Sequence, residues 1–281
     1  MPETFRLEWI MGGLLICGTF FWASLFLSKT TGEILSSGGR WLEWRPLPHD
    51  LPAFMIWGFL IGFFLQQLFA VLIFVLGLTE TLPIGVMILF SILFFQGVMG
   101  LVLFLRLHRS RIEPLEVLGM EGPFRLQDLI WGLVSYCMCL PFVGLSSLFT
   151  QLFFEVFHWK LEVQPMLELF SELSGWMNWV SVFLLVGFIG PLLEELVFRG
   201  FLFTWLHQRL GFLPGLFLQA LIFAAIHMHI ASFLPLFVLS IILGLTYVYT
   251  RRLMACVWAH AVFNTMTLVY TFLVPSGELG L

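Results

Sequence analysis

Residues 51–78 read LPAFMIWGFLIGFFLQQLFAVLIFVLGL and contain no ionisable side chain. A bilayer core about 30 Å thick takes about 20 apolar residues of helix. A run this long belongs in lipid, where every backbone polar group must be paired within the protein and only helices or closed barrels can span. The run does not stand alone. Comparable stretches fall at 9–27, 84–105, 129–154, 178–198, 212–230, 232–250 and 254–274. The chain is therefore expected to be all-α, a polytopic transmembrane helical bundle of about eight spans.

Composition agrees. Charged residues make up 11% of the chain against 60% hydrophobic, and mean hydropathy is +0.99. A soluble domain carries roughly 25% charged residues, so this chain could not cover a soluble surface. The net charge of −4 leaves no basic stripe for nucleic acid. The partner expected from composition is the lipid bilayer. Run 9–27 is too long for a signal-peptide core and reads as a retained span. Cys17, Cys137, Cys139 and Cys256 lie inside apolar runs and read as small buried hydrophobes. Gly58 and Gly62 form a G-x-x-x-G spacing suited to close helix approach. The loop 155–176 reads equally as an interfacial helix or a plain connection. Trp41, Trp44, Trp176 and Trp179 read as interfacial anchors.

The cations set an orientation. With the 28–50 loop in the cytoplasm, eleven cations lie at or near that face: Lys29, Arg40, Arg45, Arg106, Arg109, Arg111, Arg125, Arg199, Arg209, Arg251 and Arg252. Only Arg6 and Lys160 fall outside. The positive-inside rule favours this arrangement, with both termini extracytoplasmic.

Ionisable groups inside a membrane are costly and mark function. They gather late in the chain. GPLLEELVFRG, from Gly190 to Gly200, holds Glu194, Glu195 and Arg199. Glu195 and Arg199 are four apart, on one helical face, where they can pair. Glu194 is turned about 100° away and needs another partner. FAAIH pairs Phe223 with His227, and HAVFN pairs His260 with Asn264, again at four-residue spacing. Counting about 1.5 Å per residue from Arg209, Gly211 and Arg252 brings the three polar faces to similar depth. That argues for one convergent site. Gly190-Pro191 should interrupt the 178–209 segment with a kink. Gln66, Gln67, Gln96 and Ser135, earlier in the chain, read as ordinary helix-packing residues. His229 reads as a loop or interface residue.

A glutamate beside a histidine, away from bulk water, can hold and deprotonate a water molecule. A second histidine and an amide can donate to a developing oxyanion. These are the parts of an amide hydrolase without a covalent nucleophile. Glu194, His227 and His260 are also a plausible zinc set.

In order, GPLLEELVFRGFLF, FAAIH and HAVFN resemble the E-E-x-x-x-R, F-x-x-x-H and H-x-x-x-N/D motifs of the CPBP family. This is the Abi or Rce1-like group of intramembrane proteases, which includes type II CAAX prenyl endopeptidases. The resemblance divides the chain into residues 1–176, of unassigned role with about four spans, a catalytic core at 177–274, and a short tail at 275–281. By motif, it implies that Glu194 is the general base acting with His227, that His260 and Asn264 stabilise the oxyanion, and that Glu195, Arg199 and Phe223 support the site. No cofactor is expected. H-E-x-x-H is absent and Asn264 is a poor zinc ligand, so a glutamate mechanism is favoured over a metalloprotease, with zinc as the alternative. The resemblance implies an endopeptidase of a bacterial inner membrane acting on a membrane-associated, lipidated or hydrophobic substrate. Two other readings stand beside it. A proton-coupled transporter also uses buried Glu and His, but should show an internal repeat. A non-catalytic scaffold could retain the same core.

Overall fold

A computed structural model describes residues 47–79, 81–111, 125–160, 170, 173 and 175–273. Run 9–27, most of the 28–50 loop, the centre of the 155–176 segment, Cys17, Trp41, Trp44 and the 275–281 tail lie outside the described residues.

Seven helices account for most of the rest. They are α1 (Leu51–Val75), α2 (Ile84–Arg109), α3 (Leu126–Val156), α4 (Trp176–Leu210), α5 (Phe212–Ile226), α6 (Ile230–Thr250) and α7 (Leu253–Leu273). No strand occurs among the described residues. Six of these helices are long and apolar enough to cross a membrane. The exception is α5, where the expected span 212–230 shrinks to 15 residues. Its length, about 22 Å, falls short of a bilayer core. The apolar run continues past Ile226, but the helix does not. Met228 takes a left-handed φ of 50°, and His229 caps α6 by accepting from Ser232 N at 3.2 Å. His229 is thus a turn residue, as expected.

At Gly190-Pro191, where a kink was expected, the helix does not end. The helix runs on from Trp176 to Leu210. It does so by widening into a π-turn at Leu185–Ile189, directly before Gly190. Proline lacks an N–H and crowds the carbonyl four residues back. A π-turn moves the bonding register and absorbs that defect without ending the helix. A second π-turn covers Leu196–Phe203 in α4, and a third covers Leu93–Gly97 in α2.

Helices α6 and α7 pack along α3, α5 packs against α6, and α1 lies against α2. Small residues set the closest approaches. A Cβ on Gly62 would stand 2.5 Å from Phe94 O, and one on Gly58 would stand 3.1 Å from Met99 Cα. The G-x-x-x-G pair therefore seats α1 on α2. Gly132 plays the same part between α3 and α7, where a Cβ would lie 3.0 Å from Ala259 N. Gln66 reaches Ser91 at 3.4 Å and Ser135 meets Thr246 at 2.8 Å, both as interhelical packing contacts.

Successive antiparallel helices bring Arg106, Arg125, Arg209, Arg251 and Arg252 to one end of the bundle and leave Lys160 toward the other. Polar contacts knit the arginine end. Arg106 pairs with Asp50 at the start of α1. This contact holds the exposed Asp50 carboxyl below its ordinary value, chiefly through the side-chain hydrogen bond. Arg209 donates to Leu47 O at 3.2 Å. Arg252, between α6 and α7, pairs with buried Asp128 at the start of α3. That hydrogen bond pushes the Arg252 guanidinium above its ordinary value.

Candidate active site

The site is built outward from the most buried charges. Glu195 and Arg199 are both fully shielded, and Arg199 Nη1 donates to Glu195 Oε1 at 2.8 Å. An isolated charge in such a place costs several kcal/mol (about 3–5 when one partner is removed), so the pair is needed for either to remain. The other guanidinium nitrogen, Nη2, donates to Ser240 Oγ at 2.9 Å and Ser240 O at 3.2 Å. Gln219 braces the same serine. Arg199 thereby ties α4 to α6, and through Ser240 and Gln219 to α5.

Phe223 explains why an aromatic ring belongs four residues before His227. Its face lies 4.9 Å from the Arg199 guanidinium. The ring also meets Phe198 edge-on at 4.9 Å, His227 at 4.8 Å and His260 at 6.0 Å. It is the apolar post around which the charged pair and both histidines are arranged.

His260 stands between the two glutamates. Its Nδ1 lies 2.8 Å from Glu195 Oε1, and its Nε2 lies 3.9 Å from Glu194 Oε2. A carboxylate only accepts, so Nδ1 carries the proton and Nε2 is turned toward Glu194. His227, the last residue of the α5 turn, is held in the same manner, with Nδ1 donating to Phe223 O at 2.7 Å. Its Nε2 is left free of that bond. Glu194 and His227 line one cavity of about 200 Å³, together with Gln96, Phe95 and Met99 from α2, Val197 and Phe198 from α4, and Ile226. Glu194 keeps an 18% exposed side chain.

One placement departs from the sequence reading. Gln96, expected to be a packing residue, donates from Nε2 to Glu194 Oε1 at 2.8 Å. It is the partner that Glu194 was expected to need, and it comes from α2. The available signal was thin. In the run 84–105 only Ser91 and Gln96 carry side-chain hydrogen-bonding groups. Asn264 is anchored to α4. Its amide donates to Val186 O in the π-turn of α4 at 3.0 Å, and Asn264 is not among the residues lining the Glu194 cavity. Among the described residues, no three His, Cys, Asp or Glu side chains converge closely enough to share a metal ion.

The comparisons bear on this geometry. Residues 175–266 match the family described as Type II CAAX prenyl endopeptidase Rce1-like. They include all of the motif residues, whereas Gln96, which belongs to no motif, lies outside the match. Over these residues the chain is similar to the Rce1-like family. A relative from Bacillus subtilis (strain 168), named "Putative membrane peptidase YdiL", is 20% identical over 161 residues. That alignment covers 57% of this chain and spans 63% of the relative's length. No solved structure matches.

Proposed function

We propose that this protein is an intramembrane endopeptidase that hydrolyses a peptide bond of a membrane-associated substrate with a glutamate-activated water. The observation that carries the reading is the shared cavity of Glu194 and His227, backed by an interlocked Glu195–Arg199–His260 array. Glu194 takes a proton from water as the water oxygen bonds to the scissile carbonyl carbon. The neutral His227 ring, with its Nδ1 proton committed to Phe223 O, offers Nε2 as an acceptor that orients the same water. The carbonyl oxygen becomes an oxyanion. Donors proposed for it are the His260 ring, which Glu195 holds through Nδ1, and the second amide proton of Asn264. Collapse breaks the C–N bond, and Glu194 returns its proton to the leaving amine. Glu195 and Arg199 touch no reacting atom and act by holding His260 and the helix in place.

The Rce1-like match supports a CAAX-protease-like chemistry. The printed name of the Bacillus relative supports a peptidase. The substrate class proposed is a membrane-bound protein or peptide, lipidated or carrying a hydrophobic segment, in a bacterial cell membrane. The test compares peptide termini in membranes from cells producing wild type or Glu194→Gln at equal levels. New termini that appear only with wild type are expected. Identical profiles would overturn the protease reading. Repeating the wild-type cleavage with a zinc chelator decides metal dependence, and the glutamate mechanism predicts an undiminished rate.

A further inference from the structure

The cavity wall that lies outside the family match carries one polar side chain, Gln96. It stands in the π-turn Leu93–Gly97 of α2, where a widened turn re-aims a side chain relative to a regular helix. Its Nε2 is 2.8 Å from Glu194 Oε1. An ionised carboxylate can only accept, so the amide nitrogen must be the atom facing it. The amide oxygen, Oε1, is buried with no hydrogen-bond partner in the structure. A residue needed only for packing would not bring a polar atom into a buried wall and leave it unmatched. Gln66 is the contrast. It spans α1 and α2 through a neutral contact with Ser91 at 3.4 Å and lines no part of this cavity.

We infer that Gln96 is the positioning residue of Glu194, fixing Oε1 through Nε2–H and offering its own buried carbonyl to the attacking water. The inference rests on the assignment of Glu194 as the base and assigns its two oxygens different tasks. Oε1 is held by α2. Oε2, which faces His260 Nε2 at 3.9 Å, is beyond hydrogen-bond range of that ring and is the oxygen that takes the proton from water. The first half of the chain thus completes the active site rather than merely surrounding it. The titratable groups around the pair are His227 at the end of α5, His260 on α7, and Glu195 on α4, which is bound to Arg199 and His260.

The test uses the full-length protein in detergent-opened membranes of expressing cells. It reads the rate of new peptide termini per mole of protein, beside thermal unfolding. Gln96→Leu is expected to lower the rate about 10- to 100-fold, as for loss of a hydrogen bond to a charged group, with unfolding unchanged. Gln66→Leu should stay within about twofold, since it loses only a neutral contact. Gln96→Glu keeps an acceptor but loses the donor at neutral pH. It should be nearly inactive there and recover on acidification, when the two facing carboxyls share one proton and the protonated one donates. Gln96→Leu and Gln96→Glu both at wild-type rate, with the wild-type pH profile and with Glu194→Gln inactive, would overturn the inference. If Gln96→Leu fails to fold, the Gln96→Glu profile decides alone: an acid-shifted optimum supports the positioning role and a profile parallel to wild type overturns it. Full activity of Glu194→Gln would instead overturn the assignment of the base.

Discussion

Arg199 is the residue on which the site's order depends, although it touches none of the reacting groups. It has no exposure, and it neutralises Glu195 while gripping Ser240 and stacking on Phe223. Arg199→Ala would leave Glu195 charged and alone except for His260, in a place where water cannot reach it. The expected cost is about 3–5 kcal/mol of stability, seen as a clear fall in thermal unfolding temperature in detergent and in the amount of protein recovered. Arg199→Lys should recover part of this, because an ammonium can meet Glu195 but cannot also reach Ser240 through a planar fork. A variant of Arg199→Ala that unfolds with wild-type stability and cleaves normally would show the array to be dispensable. The Glu195–Arg199 pair was legible in the sequence because charges inside apolar runs are conspicuous and four-residue spacing is simple geometry. The division of His260 between the two glutamates was not. It depends on the phase of α4, which the π-turns on either side of Glu194 and Glu195 alter.

At the scale of elements, irregular helical turns surround the site. One presents Gln96, one receives Asn264 at Val186, and one contains Arg199. Apolar periodicity carries no mark of a π-turn, so the sequence marked a kink at Pro191 but not the widened turn that precedes it. Close helix packing was better foreseen, through Gly58 and Gly62. Gly62 now has a specific consequence. A side chain there would collide with the carbonyl oxygens of Phe94 and Phe95 in the very turn that presents Gln96. Backbone atoms in a packed interface cannot step aside cheaply, and overpacking costs about 1–3 kcal/mol. Gly62→Val should therefore lower both stability and cleavage. Gly97→Ala is the matched control. It lies in the same π-turn, but its Cβ would meet only ordinary contacts, at 3.7 Å from Ile92 O and 3.9 Å from Leu93 Cδ2. Replacing glycine by alanine in a helix favours folding by about 1 kcal/mol, so Gly97→Ala should be at least as stable as wild type and active. Equal behaviour of the two variants, read by thermal unfolding and rate of new termini, would remove the α1–α2 contact from the mechanism.

For the whole molecule, the order of the helices makes a claim about sidedness. Asp50 with Arg106, Arg209 with Leu47, and Asp128 with Arg252 all knot the same end of the bundle. Lys160, past the end of α3, sits toward the other end and is exposed. Charge bias in short loops sets the orientation of a multispan protein, so the arginine end is expected in the cytoplasm. The expectation can be read with single cysteines on a background in which the four native cysteines are replaced by alanine. Lys160→Cys should react with a membrane-impermeant maleimide added outside intact cells. Arg109→Cys and Arg251→Cys, both exposed at the arginine end, should react only after the membrane is opened. The opposite pattern would invert the molecule, and with it the side from which a substrate enters the cavity between α2, α4 and α5. Labelling of all three from outside would instead place the arginine end and Lys160 on one face, which the alternating path of α3 through α7 does not permit.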